Sequence, residues 1–309
     1  MRYAHDGLYF LTGYSDLMLG AALVAMSCDT TSTLYRLSLH HLRSEKLAYL
    51  ATLLSLLPSS PATLRLAAYA EPFFTFFAYK GMWYCTQSRH LRASLSFMIA
   101  GMFRSNGIFL GGFILWDLVV QPVLFTGKIH PRRILYSIPF TALAFAPFIY
   151  HQYTGYLAFC RDQDKPQWCQ KTLPLIYSHV QSKYWNNGFL RYWTVSQIPN
   201  FVIAAPPLLS IMAFSSFVLV NQKKSEGYSP FANPSLVPHA IHALVHCAIL
   251  IFTSHVQIIL RLAASMPLTY WAAAWLVTEH PKIGRWWIGW SVVWGTISIV
   301  LWSAFLPPA

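Results

Sequence analysis

Ten Asp and Glu residues are all the carboxylates this chain of 309 residues has available for proton transfer. Asp29, Glu45, Glu226 and Glu279 fall beside basic clusters, which leaves Asp6, Asp16, Glu71, Asp117, Asp162 and Asp164. Of these, Asp6 and Glu71 are the best placed to act as catalytic carboxylates. Asp16 and Asp117 sit inside apolar runs, where an ionisable side chain is a functional suspect unless it is paired or close to an interface. Cations gather in two places: Arg104 in the short stretch Arg104-Ser105-Asn106-Gly107, and Arg161, Lys165, Lys171, Lys183 and Arg191 in one long polar segment, 152–198. Arg meets a phosphate with a forked geometry that Lys lacks. The long segment is also rich in aromatics and amides, a mixture suited to stacking on sugar rings and hydrogen-bonding their hydroxyls. An amphipathic interfacial layer has the same composition, because Trp and Tyr settle at headgroup depth whether or not a substrate is present. Together these groups make up what a sugar transfer from a lipid phosphate needs: a carboxylate to deprotonate the accepting hydroxyl and cations to stabilise the leaving phosphate.

The elements that must position these groups are membrane helices. The chain is 55% apolar and only 10% charged, whereas a soluble domain carries roughly a quarter charged residues. Apolar runs long enough for a bilayer recur throughout, and they predict spans near 8–27, 47–60, 67–85, 94–104, 107–125, 134–151, 199–221, 236–256, 263–279 and 286–305. The fold class expected is therefore an all-α integral membrane protein with about ten transmembrane or re-entrant helices in a single multi-spanning domain over 1–309. The net charge of +12 resides in brief clusters: Arg36, Arg43 and Lys46; Arg89 and Arg92; Lys128, Arg132 and Arg133; Lys223 and Lys224; Lys282 and Arg285. Such clusters are topology signals on the cytoplasmic side and no nucleic-acid footprint.

Placing all five clusters on one side demands two hairpins, turning near Pro58-Ser59-Ser60-Pro61 and near Arg104-Ser105-Asn106-Gly107, where breakers occur. The other side then collects Tyr69 to Glu71, Arg104 to Asn106, the segment 152–198 and His255 to Ser265. Four polar clusters on one face favour a site. Cys160 and Cys169, nine apart in the long segment, are expected to form a disulfide in an oxidising compartment, while Cys28, Cys85 and Cys247 read as buried thiols. No Walker loop, paired CxxC, HExxH or GxSxG motif occurs, so nucleotide, zinc and serine-hydrolase chemistry are disfavoured and no metal site is expected. Nor do residues 1–150 and 151–309 repeat one another as the halves of many transporters do.

Five stretches carry a family resemblance: Leu57 to Gly81, Arg104 to Gly107, Tyr177 to Phe201 (YSHVQSKYWNNGFLRYWTVSQIPNF), Ser254 to Trp271 (SHVQIILRLAASMPLTYW) and the closing LWSAFLPPA. In that order they resemble the fungal GPI mannosyltransferases that add the second mannose of the glycosylphosphatidylinositol anchor precursor. The resemblance implies a GT-C-type, multi-pass enzyme of the endoplasmic reticulum membrane. It also implies dolichyl-phosphate mannose as donor, no cofactor, the lipid-linked precursor as acceptor, and an alpha-1,6 link formed on the lumenal side. It assigns substrate contacts to Tyr69, Arg104, Asn106, Gln181, Tyr184, Trp185, Asn187, Arg191, Trp193, His255, Gln257 and Arg261. The family normally opens with a further span and a first lumenal loop bearing a Trp-Asp motif; here His5-Asp6-Gly7 is at most its echo, and the expectation is a chain shortened at the amino terminus. A non-catalytic pseudoenzyme or scaffold of the same family is the alternative. Apolar helix faces of this kind suit membrane lipids and a small membrane partner subunit alike.

Overall fold

The computed structural model describes residues 19–57, 69–161, 165–221 and 229–303, and among them the regular structure is helical throughout. Helix ends follow local chemistry. Ser44 caps Glu45–Leu54 by accepting from the Leu47 amide, which satisfies one of the orphan N–H groups of the first turn. Pro131 and Pro267 occupy first-turn positions, where a missing N–H costs nothing. Gly127, at φ 66°, ends Gln121–Thr126 in the left-handed region.

At the centre stands Pro267–Glu279, in which every residue from Pro267 to Leu276 is buried. A helix apolar on all sides belongs inside a bundle. Against it pack Glu45–Leu54, Ile198–Asn221 and Pro281–Ser303. A second unit is the antiparallel pair Ala70–Thr86 and His90–Phe103, with Pro131–Phe159 laid on the latter. Among the described residues four segments are long and apolar enough to cross a bilayer: Ser105–Leu124, Pro131–Phe159, Val195–Asn221 and Pro234–Phe252. The chain is thus an all-α polytopic membrane protein.

Side-chain pairs fix the direction of the helices. His90, which opens His90–Phe103, bonds Asp117, while Arg104 just beyond the other end of that helix bonds Glu71. His41 bonds Ser235 at the His90 end. Arg43 and Arg89 lie within two residues of His41 and His90, so they gather at the end of the bundle opposite Glu71.

Several boundaries differ from the expected ones. Pro131–Phe159 is one helix of 29 residues, so the polar segment expected from 152 begins only after Phe159. Nothing in 152–159 breaks a helix, and Gly155 seats the side chain of Ile176. Lys282 and Arg285 lie in the opening turns of Pro281–Ser303 and form no separate loop. The expected span at 263–279 is preceded by a stepped entry: Val256–Ile258 and Ala263–Ser265 are 3-10 turns flanking Ile259–Leu262, and Met266 is extended. The turn expected at Pro58 to Pro61 lies outside the described residues. That at Arg104 to Gly107 is present, with Arg104 extended at φ −145° between His90–Phe103 and the 3-10 turn Ser105–Leu110.

Candidate functional site

Glu71 lies in the first turn of Ala70–Thr86, where the positive end of the helix favours a carboxylate. It is 2% exposed. A buried carboxylate needs charge partners, and two arrive from distant segments: Arg104 Nη1 donates to Glu71 Oε1 at 2.7 Å, and Arg261 Nε donates to the same oxygen at 2.8 Å, with Arg261 Nη2 close as well. Arg104 Nε also donates to Asn106 Oδ1 at 3.3 Å. Glu71 Oε2 is buried with no hydrogen-bond partner among the described residues. Gly107 is required by the tight turn, since a Cβ there would stand 2.6 Å from the Gly101 Cα.

A second group is built on the polar segment. The backbone of 186–190 is clamped to the end of Val237–Phe252: Gly188 N donates to Thr253 O and Leu190 N to Phe252 O. The side chains lock the same junction. Trp193 Nε1 donates to Ile251 O, and His255 bonds Trp185 O. The Tyr192 ring lies over that of His255 with centroids 4.5 Å apart. The Tyr192 hydroxyl donates to Gln257 Oε1 at 2.6 Å and accepts from Asn200 at 2.8 Å. Burial pushes the Tyr192 pKa up, so the hydroxyl stays a protonated donor. Asn187 donates to Gln181, and Arg191 reaches Ser182. Tyr184, Trp185, Phe189 and Trp193 remain broadly exposed, Phe189 at 74%.

The two groups share one end of the bundle. Ser105 bonds the Tyr177 hydroxyl, and Tyr177 N donates to Gln152 Oε1, which ties the Arg104 turn to the polar segment. Gln257 and Arg261 lie four residues apart on the stepped entry 256–265 and so link Tyr192 to Glu71. The four expected clusters therefore meet, with Tyr69 at the cap of Ala70–Thr86 on their edge. Cys160 and Cys169 are bonded, with Cα atoms 5.6 Å apart, and pin the start of the segment to the end of Pro131–Phe159.

Glu71, expected as a catalytic carboxylate, accepts from both guanidiniums at Oε1 and buries Oε2. Asp6, Asp16, Asp162 and Asp164 lie outside the described residues. Asp117 is paired with His90 at the opposite end of the bundle, about 20 Å of helix away from Arg104. Residues not singled out in the sequence include Tyr192, Asn200 and Tyr177, whose roles depend on long-range contacts. Among the described residues no three His, Cys, Asp or Glu side chains are grouped to hold a metal ion.

The chain is 34% identical over its whole length to GPI mannosyltransferase 2 of Cryptococcus neoformans var. neoformans serotype D (strain B-3501A), covering 81% of that protein. It is 34% identical to GPI mannosyltransferase 2 of Yarrowia lipolytica over 81% of the chain and 64% of the relative. It is 29% identical to the GPI alpha-1,6-mannosyltransferase 2 of Rattus norvegicus over 85% of the chain and 63% of the relative. No solved structure matches. Residues 21–309 match the family described as Mannosyltransferase (PIG-V), and the chain belongs to that family.

Proposed function

We propose that the chain transfers the second mannose, in alpha-1,6 linkage, from dolichyl-phosphate mannose to the glycosylphosphatidylinositol precursor on the lumenal side of the endoplasmic reticulum membrane. The observation that carries this reading is the meeting of the Glu71, Arg104 and Arg261 cluster with the aromatic and amide junction around Tyr192. Arg104 uses Nη1 and Nε internally, so its Nη2 is oriented and left over for an anion. In the transfer, the acceptor hydroxyl oxygen bonds to mannose C1 as the C1–O bond to phosphate breaks. The phosphate leaves with the electron pair, and the hydroxyl proton passes to a carboxylate, a role we give to Asp6. Arg104 holds the phosphate as its charge grows. Glu71 fixes both guanidiniums and takes no proton. Exposed Trp185 and Trp193 present flat faces and Asn187 an amide to sugar hydroxyls. No nucleotide or metal is required by this scheme.

The test is complementation of cells that lack their own second-mannose transferase, with the glycolipid precursors resolved by mass. Conversion of the one-mannose to the two-mannose precursor is expected. Persistence of the one-mannose species, with this chain at normal abundance, would instead make it a non-catalytic scaffold.

A further inference from the structure

At the basic end of the bundle, remote from Glu71, a cavity of about 500 Å³ opens between Ala70–Thr86, Ser105–Leu124 and the start of Val237–Phe252. Its polar wall includes Asp117, Ser88, Gln121 and His40, and its aromatic wall is Phe113 and Trp116. Among the described residues no Lys or Arg lines it. A second cavity of about 180 Å³ continues from it, sharing Phe113, Trp116 and Pro238, and is walled by Phe109, Ile241 and Val245. Beside Gly112 the trough is open, since a Cβ there would meet nothing within 4 Å.

Asp117 is the odd residue of the pair of cavities. A carboxylate inside a span must find a positive partner. His90 Nε2 takes Oδ2 at 2.5 Å, while Oδ1 makes no hydrogen bond to any described residue; the side chain lines the cavity and is 28% exposed. Trp116 and Asp117 sit on a π turn, Trp116–Val120, a distortion that tends to be kept where it serves a site. We propose that this double cavity binds one lipid of the adjacent leaflet through a primary ammonium head group. The ammonium donates to Asp117 Oδ1 and lies against the Trp116 face, and one acyl chain fills the trough toward Phe109. The phosphate of such a lipid falls at the cavity mouth, where Arg89 follows the lining Ser88. Gln121 to Phe109 spans twelve residues, about 18 Å of helix, close to the depth of one leaflet in a core of about 30 Å. A chain crossing both leaflets would overrun it.

This site is independent of mannose transfer. It is tested on the full chain purified in detergent and placed in nanodiscs of mixed phosphatidylethanolamine, phosphatidylcholine and phosphatidylglycerol, with retained lipid identified by native mass spectrometry. One phosphatidylethanolamine is expected to stay bound in preference to the other two. Asp117→Asn should lower its retention about tenfold, as loss of a charged hydrogen bond implies. Gly112→Trp, which fills the trough and leaves Asp117 intact, should lower retention of every lipid and serves as the deciding variant if Asp117→Asn does not fold. Equal retention of phosphatidylglycerol, or undiminished phosphatidylethanolamine in a folded Asp117→Asn or Gly112→Trp protein, would overturn the site.

Discussion

Glu71 Oε1 accepts a hydrogen bond from Arg104 Nη1 at 2.7 Å, joining the start of one helix to the turn that follows the next. The pair closes the Ala70–Thr86 and His90–Phe103 hairpin at one end. Arg261 completes it from 190 residues away, so a single carboxylate registers three segments of the chain. The first prediction follows. Glu71→Gln leaves two partly buried guanidiniums without their anion and should cost on the order of 3 kcal/mol, read as earlier thermal unfolding in detergent and lower abundance. A stable, abundant Glu71→Gln protein with lost transfer would point back to a proton-transfer role for Glu71.

Gly107 supplies a sharper steric test, because the atom that a new Cβ would meet is backbone. Gly107→Ala should displace the 101–107 turn and destabilise by about 2 kcal/mol. Gly112→Ala, whose Cβ meets open space, is the matched control and should be neutral in the same melt.

The bond between Cys160 and Cys169 closes a short loop at the end of Pro131–Phe159. By chain entropy such a closure contributes about 2.5 kcal/mol. Cys160→Ser should therefore loosen 160–183 and make it the first segment cut in limited proteolysis, with Cys169 newly open to thiol reagents. An unchanged cleavage pattern would mean that the Gln152 and Tyr177 contact alone holds the segment.

Tyr192→Phe removes the hydroxyl that Gln257 and Asn200 share but keeps the ring over His255. Leaving two amides short of a partner costs about 1 to 2 kcal/mol. Because Tyr192 bonds Gln257 and Asn200 and no member of the Glu71 cluster, the expected signature is faster hydrogen exchange in 186–200 with the Glu71 region unchanged. Faster exchange in both regions would show that the stepped entry transmits the loss.

Much of this was legible in the chain because membrane helices announce themselves by length and apolarity, and loop charge orients them. That Tyr69 to Glu71, Arg104 to Asn106, the polar segment and His255 to Ser265 share one face follows from topology; their contacts do not. The Arg104 and Glu71 pair is within reach of the sequence, since topology brings both to one end; the arrival of Arg261 on the same carboxylate is not, because nothing local to either residue records it. Tyr192 is one of 17 tyrosines, distinguished only once the backbone of 188–190 is laid against 252–253. The end of Pro131–Phe159 was missed because aromatic and amide residues can line an interface as loop or as helix with equal ease. The π turn at Trp116–Val120 has no sequence signature and is visible only in the hydrogen-bond ladder.

Arg104 is the residue on which structure and chemistry bear together. Its Nη1 and Nε bonds to Glu71 and Asn106 show a structural use, and they also aim the remaining amine. Arg104→Lys keeps the charge and can retain one bond to Glu71, but it loses the fork. If Arg104 only braces the hairpin, stability and mannose transfer should decline in step, and Arg104→Lys should look like a mild form of Glu71→Gln. If the oriented guanidinium also holds the donor phosphate, abundance and melting temperature should stay close to those of the parent while transfer falls tenfold or more, since a lost transition-state contact of about 1.4 kcal/mol already has that effect. Separate titration of donor and acceptor divides the outcomes further. The donor KM or kcat should change with the acceptor KM untouched, because the phosphate that leaves is the donor's. Full transfer at normal abundance would remove Arg104 from both roles and leave Arg261 as the cation to examine.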